Sequence, residues 1–163
     1  MDWHRLVAAE VWRQVAVQRS VAAEHDLVYC SRSGPPSQPW LEPDVNDHLT
    51  ALAEAGERAV VAVPIGFVSD HMEVIFDLDT EAAATAQELG LGFARAGTAG
   101  THPAFVNGLI DLLVERAAVA RGELVDEPVI EGGEVGRYAC PAECCPNLRQ
   151  PGRPTLCGLP AAL

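Results

Sequence analysis

The chain has 163 residues, the size of one ordinary domain, and 48% of them are hydrophobic, so an aliphatic core is within reach and disorder throughout is excluded. Acidic residues number 23 against 11 basic ones, giving a formal net charge of −12, and every base is Arg. An acidic chain without a basic cluster argues against nucleic acid and against an anionic membrane as partners. No apolar run approaches the roughly 20 residues that span a bilayer, and the start, MDWHRLVAAEVWRQ, lacks the apolar stretch of a secretory signal. The cytoplasm is the expected compartment.

Residues 3–23 set Leu6, Val7, Val11, Val15 and Val21 among Arg, Gln and Glu, the pattern of an amphipathic helix. Residues 26–30 read as a short strand. Residues 31–43, SRSGPPSQPWLEP, hold four prolines and read as a loop. Asp44 is placed to cap a helix carrying Val45, Leu49 and Leu52, closed by Gly56. The run 58–64, RAVVAVP, has the β-branched character of a strand buried in a parallel sheet. A helix is expected over 70–89, with Gly90 just past its end, then a short strand at 93–95. A last amphipathic helix is expected over 102–121, with Phe105, Leu109, Leu112 and Leu113 as its stripe. Strands alternating with helices predict an α/β layered fold, mostly parallel. Beyond residue 122 the periodicity stops, dividing the chain into a domain at 1–121 and a Gly-, Pro- and Cys-rich tail at 122–163.

Two constellations could carry chemistry. In VPIGFVSDHMEVIFDLD a strand runs into a Pro/Gly loop and then directly into a helix, the place where open α/β sheets bind ligands. Glu73, Asp77 and Glu81 are spaced by four and form a slowly drifting acidic stripe. Like charges at that spacing cost about 0.2–0.5 kcal/mol per pair, which does nothing for folding and suits a path for a divalent cation. His71 adds an imidazole at the helix entry. A structural reading stands beside this one: Asp70 and Glu73 have capping-box spacing, and acids in a first turn complement the helix dipole.

The second constellation is the tail, where Cys140, Cys144, Cys145 and Cys157 fall within the last 24 residues. Thiols in a segment without its own core suggest an iron–sulfur or other metal site. Zinc competes, usually through C-x₂₋₄-C pairs, and incidental thiols are a third reading. Cys30, alone in a strand-like run, reads as a small core residue.

VYCSRSGPPSQPWLEPDVNDHL followed by VPIGFVSDHMEVIFDLDTEA resembles the ferrochelatases of high-GC Gram-positive bacteria, from the first helix to about residue 121, with a Cys-rich tail of the same kind. The resemblance implies a Rossmann-like (class II chelatase) half, a mostly parallel sheet flanked by helices, that works on a porphyrin and Fe²⁺. It implies that Glu73 is the glutamate facing the porphyrin centre, as iron ligand or proton acceptor. Asp77 and Glu81 then belong to the acidic line that delivers metal or exports protons. Trp40 is implied to lie near the macrocycle, with His71 in a supporting hydrogen-bond role. Cys140, Cys144 and Cys145, with Cys157 as a replacement, are implied as [2Fe–2S] ligands.

The family's metal-site histidine, on a loop in the earlier part of its chains, has no counterpart among the five histidines here: His4 and His25 flank the first helix and His48 lies in the second. The chain therefore reads as a C-terminal half, expected not to chelate alone. Coproporphyrin III is the expected substrate, with protoporphyrin IX next. A non-catalytic porphyrin- or metal-binding half-domain and a chelatase for Co²⁺ or Ni²⁺ are the competing functions.

Overall fold

The computed structural model describes residues 3–20, 24–35, 37–134 and 150. The chain divides after Ile110 into two compact units. Its elements run α1 (Trp3–Arg19), α2 (Val45–Glu54), β1 (Ala59–Ala62), α3 (Met72–Val74), a π-helix (Ile75–Ala82), α4 (Ala83–Glu88), β2 (Gly92–Arg95) and α5 (Pro103–Ala120).

The first unit is built on β1, the continuous helix 72–88, and β2. The two strands pair in parallel, Ala59 opposite Gly92 through Ala62 opposite Arg95, as the alternating sequence predicts. Asp44 caps α2 as expected, its carboxylate accepting from the Asn46 N–H at 2.8 Å. Both α2 and α4 end in the predicted glycine turn. Gly56 and Gly90 take φ of 91° and 72°, and the next residues, Glu57 and Leu91, donate back to Leu52 and Ala86.

The core is one cluster: Val45 and Leu49 from α2, Val74, Leu78, Ala82 and Ala86 from the continuous helix, and Leu91. Val28, Cys30, Val60, Phe67 and Phe93 pack on its edge. Asn46 and Thr85 join α2 to α4 at its rim, the threonine hydroxyl donating to the asparagine carbonyl at 2.8 Å.

Three expectations change. Residues 26–30 form no strand: Tyr29 makes a single parallel bridge to Asp44, donating to Pro43 O and accepting from Val45 N. The ladder does not extend toward residue 27 because Pro43 in the facing segment lacks an N–H group. β1 is not buried on both faces; its residues alternate, and Val61 is 68% exposed. The apolar stripes of α1 and α5 are formed but largely uncovered, with Val7, Val11 and Val15 exposed on α1 and Leu113 71% exposed on α5.

Candidate active site

The helix 72–88 carries two stripes with a period of four, one residue out of phase. Val74, Leu78, Ala82 and Ala86 are buried in the core. Glu73, Asp77 and Glu81 run beside them. In a pure α-helix a spacing of four overshoots one turn by about 40° each time, so both stripes would drift around the axis. Over Ile75–Ala82 the helix widens to π geometry, whose turn holds more than four residues, so the drift no longer runs in the α-helical sense. The Thr80 hydroxyl also reaches back five residues, to Ile75 O at 3.4 Å. Val74, Leu78, Ala82 and Ala86 lie on the buried face, and Glu73, Asp77 and Glu81 on the more accessible one beside it.

The capping-box alternative is not realised. His71 is the N-cap and makes no side-chain cap bond, and the Asp70 carboxylate is instead held by Arg95 at 2.6 Å. Glu73 is exposed on the first turn.

Facing the acidic stripe are the start of the proline-rich loop and the start of α2. Together they enclose an open, polar cleft of about 250 Å³ lined by Cys30, Ser31, Arg32, Asp44, Val45, Asn46, Phe76, Asp77 and Glu81. Asp77 and Glu81 therefore meet at one cleft, whereas Glu73 is not among its lining residues. Ser31 closes the gap between loop and helix, its hydroxyl donating to Asp77 Oδ2 at 2.5 Å. Ser31 holds φ at 61°, the left-handed region that a non-glycine residue enters at a cost of about 1–3 kcal/mol. That single residue ties the loop to the acidic line. The sequence signal for it is slight, a small hydroxyl residue opening the proline-rich loop.

The rest of the loop is held by its own bonds. Trp40, half-buried, donates its indole N–H to Cys30 O at 3.3 Å, and Arg32 donates to Gln38 O at 3.0 Å. Burial, more than the nearby charges of Asp77, Asp44 and Glu73, pushes the Cys30 thiol above its ordinary range, and Ser31 opposes the shift. Cys30 packs against the core cluster, the role read from sequence. His71 is exposed and sets its ring edge-on to Phe67, centroids 5.3 Å apart. His25 stacks on Trp12 at 5.7 Å, His48 pairs with Asp26 at 3.2 Å, and among the described residues no histidine lines the cleft.

Among the described residues, no three His, Cys, Asp or Glu side chains converge closely enough to hold a metal ion. The acids form a line rather than a cage. Cys140, Cys144, Cys145 and Cys157 lie outside the described residues. Among the described residues no helix is long and apolar enough to cross a membrane.

A parallel βαβ unit whose helix carries a line of acids beside its buried face defines an α/β protein. The family model described as Ferrochelatase matches residues 3–117, and the chain belongs to the ferrochelatase family. It is 51% identical over 136 residues to the coproporphyrin III ferrochelatase of Propionibacterium freudenreichii, covering 83% of this chain and 37% of that protein. It is 51% identical to a ferrochelatase of Rhodopirellula baltica, covering 84% of this chain and 38% of that one. With the coproporphyrin III ferrochelatase of Streptomyces coelicolor it shares 49% identity, over 97% of this chain and 40% of the relative. The chain thus spans about two fifths of the length of the curated relatives it matches.

Proposed function

We propose that residues 1–121 form the acid-bearing wall of a ferrochelatase site, which inserts Fe²⁺ into a porphyrin in haem biosynthesis, in the cytoplasm. Coproporphyrin III is the favoured substrate and protoporphyrin IX the second. The observation that carries this reading is the placement of Asp77 and Glu81 on one cleft, with Ser31 bonded across to Asp77. Insertion exchanges two pyrrole N–H protons for one divalent cation, with no change of iron oxidation state. Carboxylates suit both halves of that exchange, because they ligate the cation and accept the protons. In this reading Glu73, first in the line and exposed, takes the proton or the metal at the ring. Asp77 and Glu81 pass cations or protons along the cleft. A line without a closed cage fits a metal in transit, which must leave as readily as it arrives. Trp40 supplies an apolar plane for the macrocycle, and His71, at the helix entry, takes a supporting hydrogen-bond role toward it.

The test is an anaerobic assay in which the chain is offered Fe²⁺ with coproporphyrin III and, separately, with protoporphyrin IX. Porphyrin should bind, seen as a shift of its Soret band, and binding should weaken in Trp40→Ala. Insertion should stay at the rate of the uncatalysed control. Sustained turnover by the isolated chain would show that it needs nothing more, and failure to bind either porphyrin would remove the reading. A non-catalytic porphyrin-holding module is told apart by adding the remaining portion of a longer relative: rescue of insertion, lost again in Glu73→Gln, rules it out.

The tail is proposed as the [2Fe–2S] segment, with Cys140, Cys144 and Cys145 as ligands and Cys157 as a replacement, since thiolates are the donors such clusters take. Anaerobic reconstitution with iron and sulfide should give visible charge-transfer absorption, and Cys140→Ser with Cys144→Ser should abolish it. Unchanged spectra in those variants would reject the assignment.

A further inference from the structure

Arg95, the last residue of β2, sits behind the acidic line with its side chain 14% exposed. Its Nε donates to Asp79 Oδ1 at 2.5 Å and its Nη2 to Asp79 Oδ2 at 2.7 Å, fork on fork. Its Nη1 donates to Asp70 Oδ1 at 2.6 Å and to Ala96 O at 3.2 Å. One guanidinium therefore ties the end of a core strand to two points: the middle of the π-helix, and the loop residue just before the helix begins. Planar bidentate pairing fixes orientation as well as distance, which a lysine ammonium does not do. Asp79 lies midway between Asp77 and Glu81, and residues two apart on a helix face different ways. The clamp thus grips the π segment away from the cleft.

We propose that Arg95 is a positioning residue for the cation path: through Asp79 and Asp70 it holds the π-helical register that brings Asp77 and Glu81 to one cleft. It also divides the acids of this region into two sets. Asp70 and Asp79 share the one positive charge of Arg95, whereas Glu73, Asp77 and Glu81 form no ion pair among the described residues. Of the acids on the cleft, Asp77 and Glu81 are thereby left without a cation of their own among the described residues. The shifts agree with the geometry, since the Arg95 hydrogen bonds hold the Asp79 carboxyl below its ordinary range and Asp79 raises the guanidinium. The inference rests on the function proposed above, because it concerns the same acids.

The probe is Mn²⁺, a hard cation that favours carboxylate over thiolate donors and so reports on the cleft rather than the tail. Binding to the chain is followed by loss of the free-ion electron paramagnetic resonance signal, and the line shape of the bound ion is recorded. Arg95→Lys keeps the charge but loses the fork, and it should weaken Mn²⁺ about 10-fold, the lower end of what outer-shell partners of metal ligands contribute. Asp79→Asn should do the same. The double variant should lose little more, because both changes break one fork.

A purely structural ion pair would lower the melting temperature and leave affinity and line shape untouched in the folded protein. Wild-type Mn²⁺ binding by folded Arg95→Lys and Asp79→Asn would overturn the positioning role. Asp77→Asn and Glu81→Gln serve as the site control: if these bind Mn²⁺ as wild type does, the cleft is not the cation path, and the proposed function fails before the clamp is judged.

Discussion

Leu49→Ala is expected to lower the unfolding free energy by about 2–5 kcal/mol, the range for removing a buried leucine from a core that cannot fully collapse. Leu49 is 2% exposed and sits in the hydrophobic cluster of the first unit. That cluster is thin, with Ala82 and Ala86 as two of its seven buried members, so the loss of one of its few leucines removes a large share of the buried apolar volume. Against a total stability of about 5–15 kcal/mol for an ordinary domain, the loss is a large share. It should also reach the site, because the start of α2 and its cap contribute Asp44, Val45 and Asn46 to the cleft. Urea unfolding of wild type and variant gives the number. Leu49→Met, which conserves volume, should cost under about 1.5 kcal/mol. Val17→Ala on the exposed side of α1 should stay within about 0.5 kcal/mol of zero. A Leu49→Ala loss no greater than that of Val17→Ala would mean that the cluster does not hold the unit together.

Local chemistry was legible wherever a residue's conformation or hydrogen bond decides the structure on its own. Asp44, Gly56 and Gly90 mark the ends of two helices because a short carboxylate and a residue free to take positive φ act within one turn. The βαβ order was legible for a related reason, since period-two and helical runs alternate. What covers an apolar face is a different matter. Val61, Val7 and Leu113 carry the pattern of buried positions and stand exposed, because periodicity says which side is apolar and nothing about the neighbour. The bridge at Tyr29 in place of a strand shows the same limit, as its partner segment supplies Pro43 where a ladder needs a donor.

The site divided along the same line. Spacing alone placed Glu73, Asp77 and Glu81 on one side of a helix, and Asp77 and Glu81 do share a cleft. Glu73 stands apart from its lining, so the three acids are not one cluster. The π-helix was not legible, because a wider turn depends on packing at Leu78 and Ala82 and on the clamp from Arg95, 16 residues beyond Asp79. Ser31 and Arg95 were missed for that reason. Each acts through a partner distant in sequence, Ser31 at a separation of 46 residues, and neither belongs to a local pattern.

Neutralising the acids one at a time separates a cation path from a solvated helix face. Asp77→Asn and Glu81→Gln should each weaken Mn²⁺ binding by about 10- to 100-fold. A single charge a few ångströms from a cation contributes roughly 1 kcal/mol in water and about 4 kcal/mol near a protein surface, and the ion is divalent. Stability should move the other way. Each change removes like-charge contacts at a spacing of four that cost about 0.2–0.5 kcal/mol per pair. In Asp77→Asn the new amide oxygen would still accept from the Ser31 hydroxyl that now bonds the carboxylate. The variants should therefore melt at or slightly above the wild-type temperature while losing affinity. Raising the salt concentration should shrink both differences, because Asp77 and Glu81 line a cleft open to solvent. Acids kept only to cap or solubilise the helix would show no loss of metal affinity. An acidic line that weakens the fold and strengthens the binding is retained for the cation, and opposite signs in the two measurements are the result that identifies it.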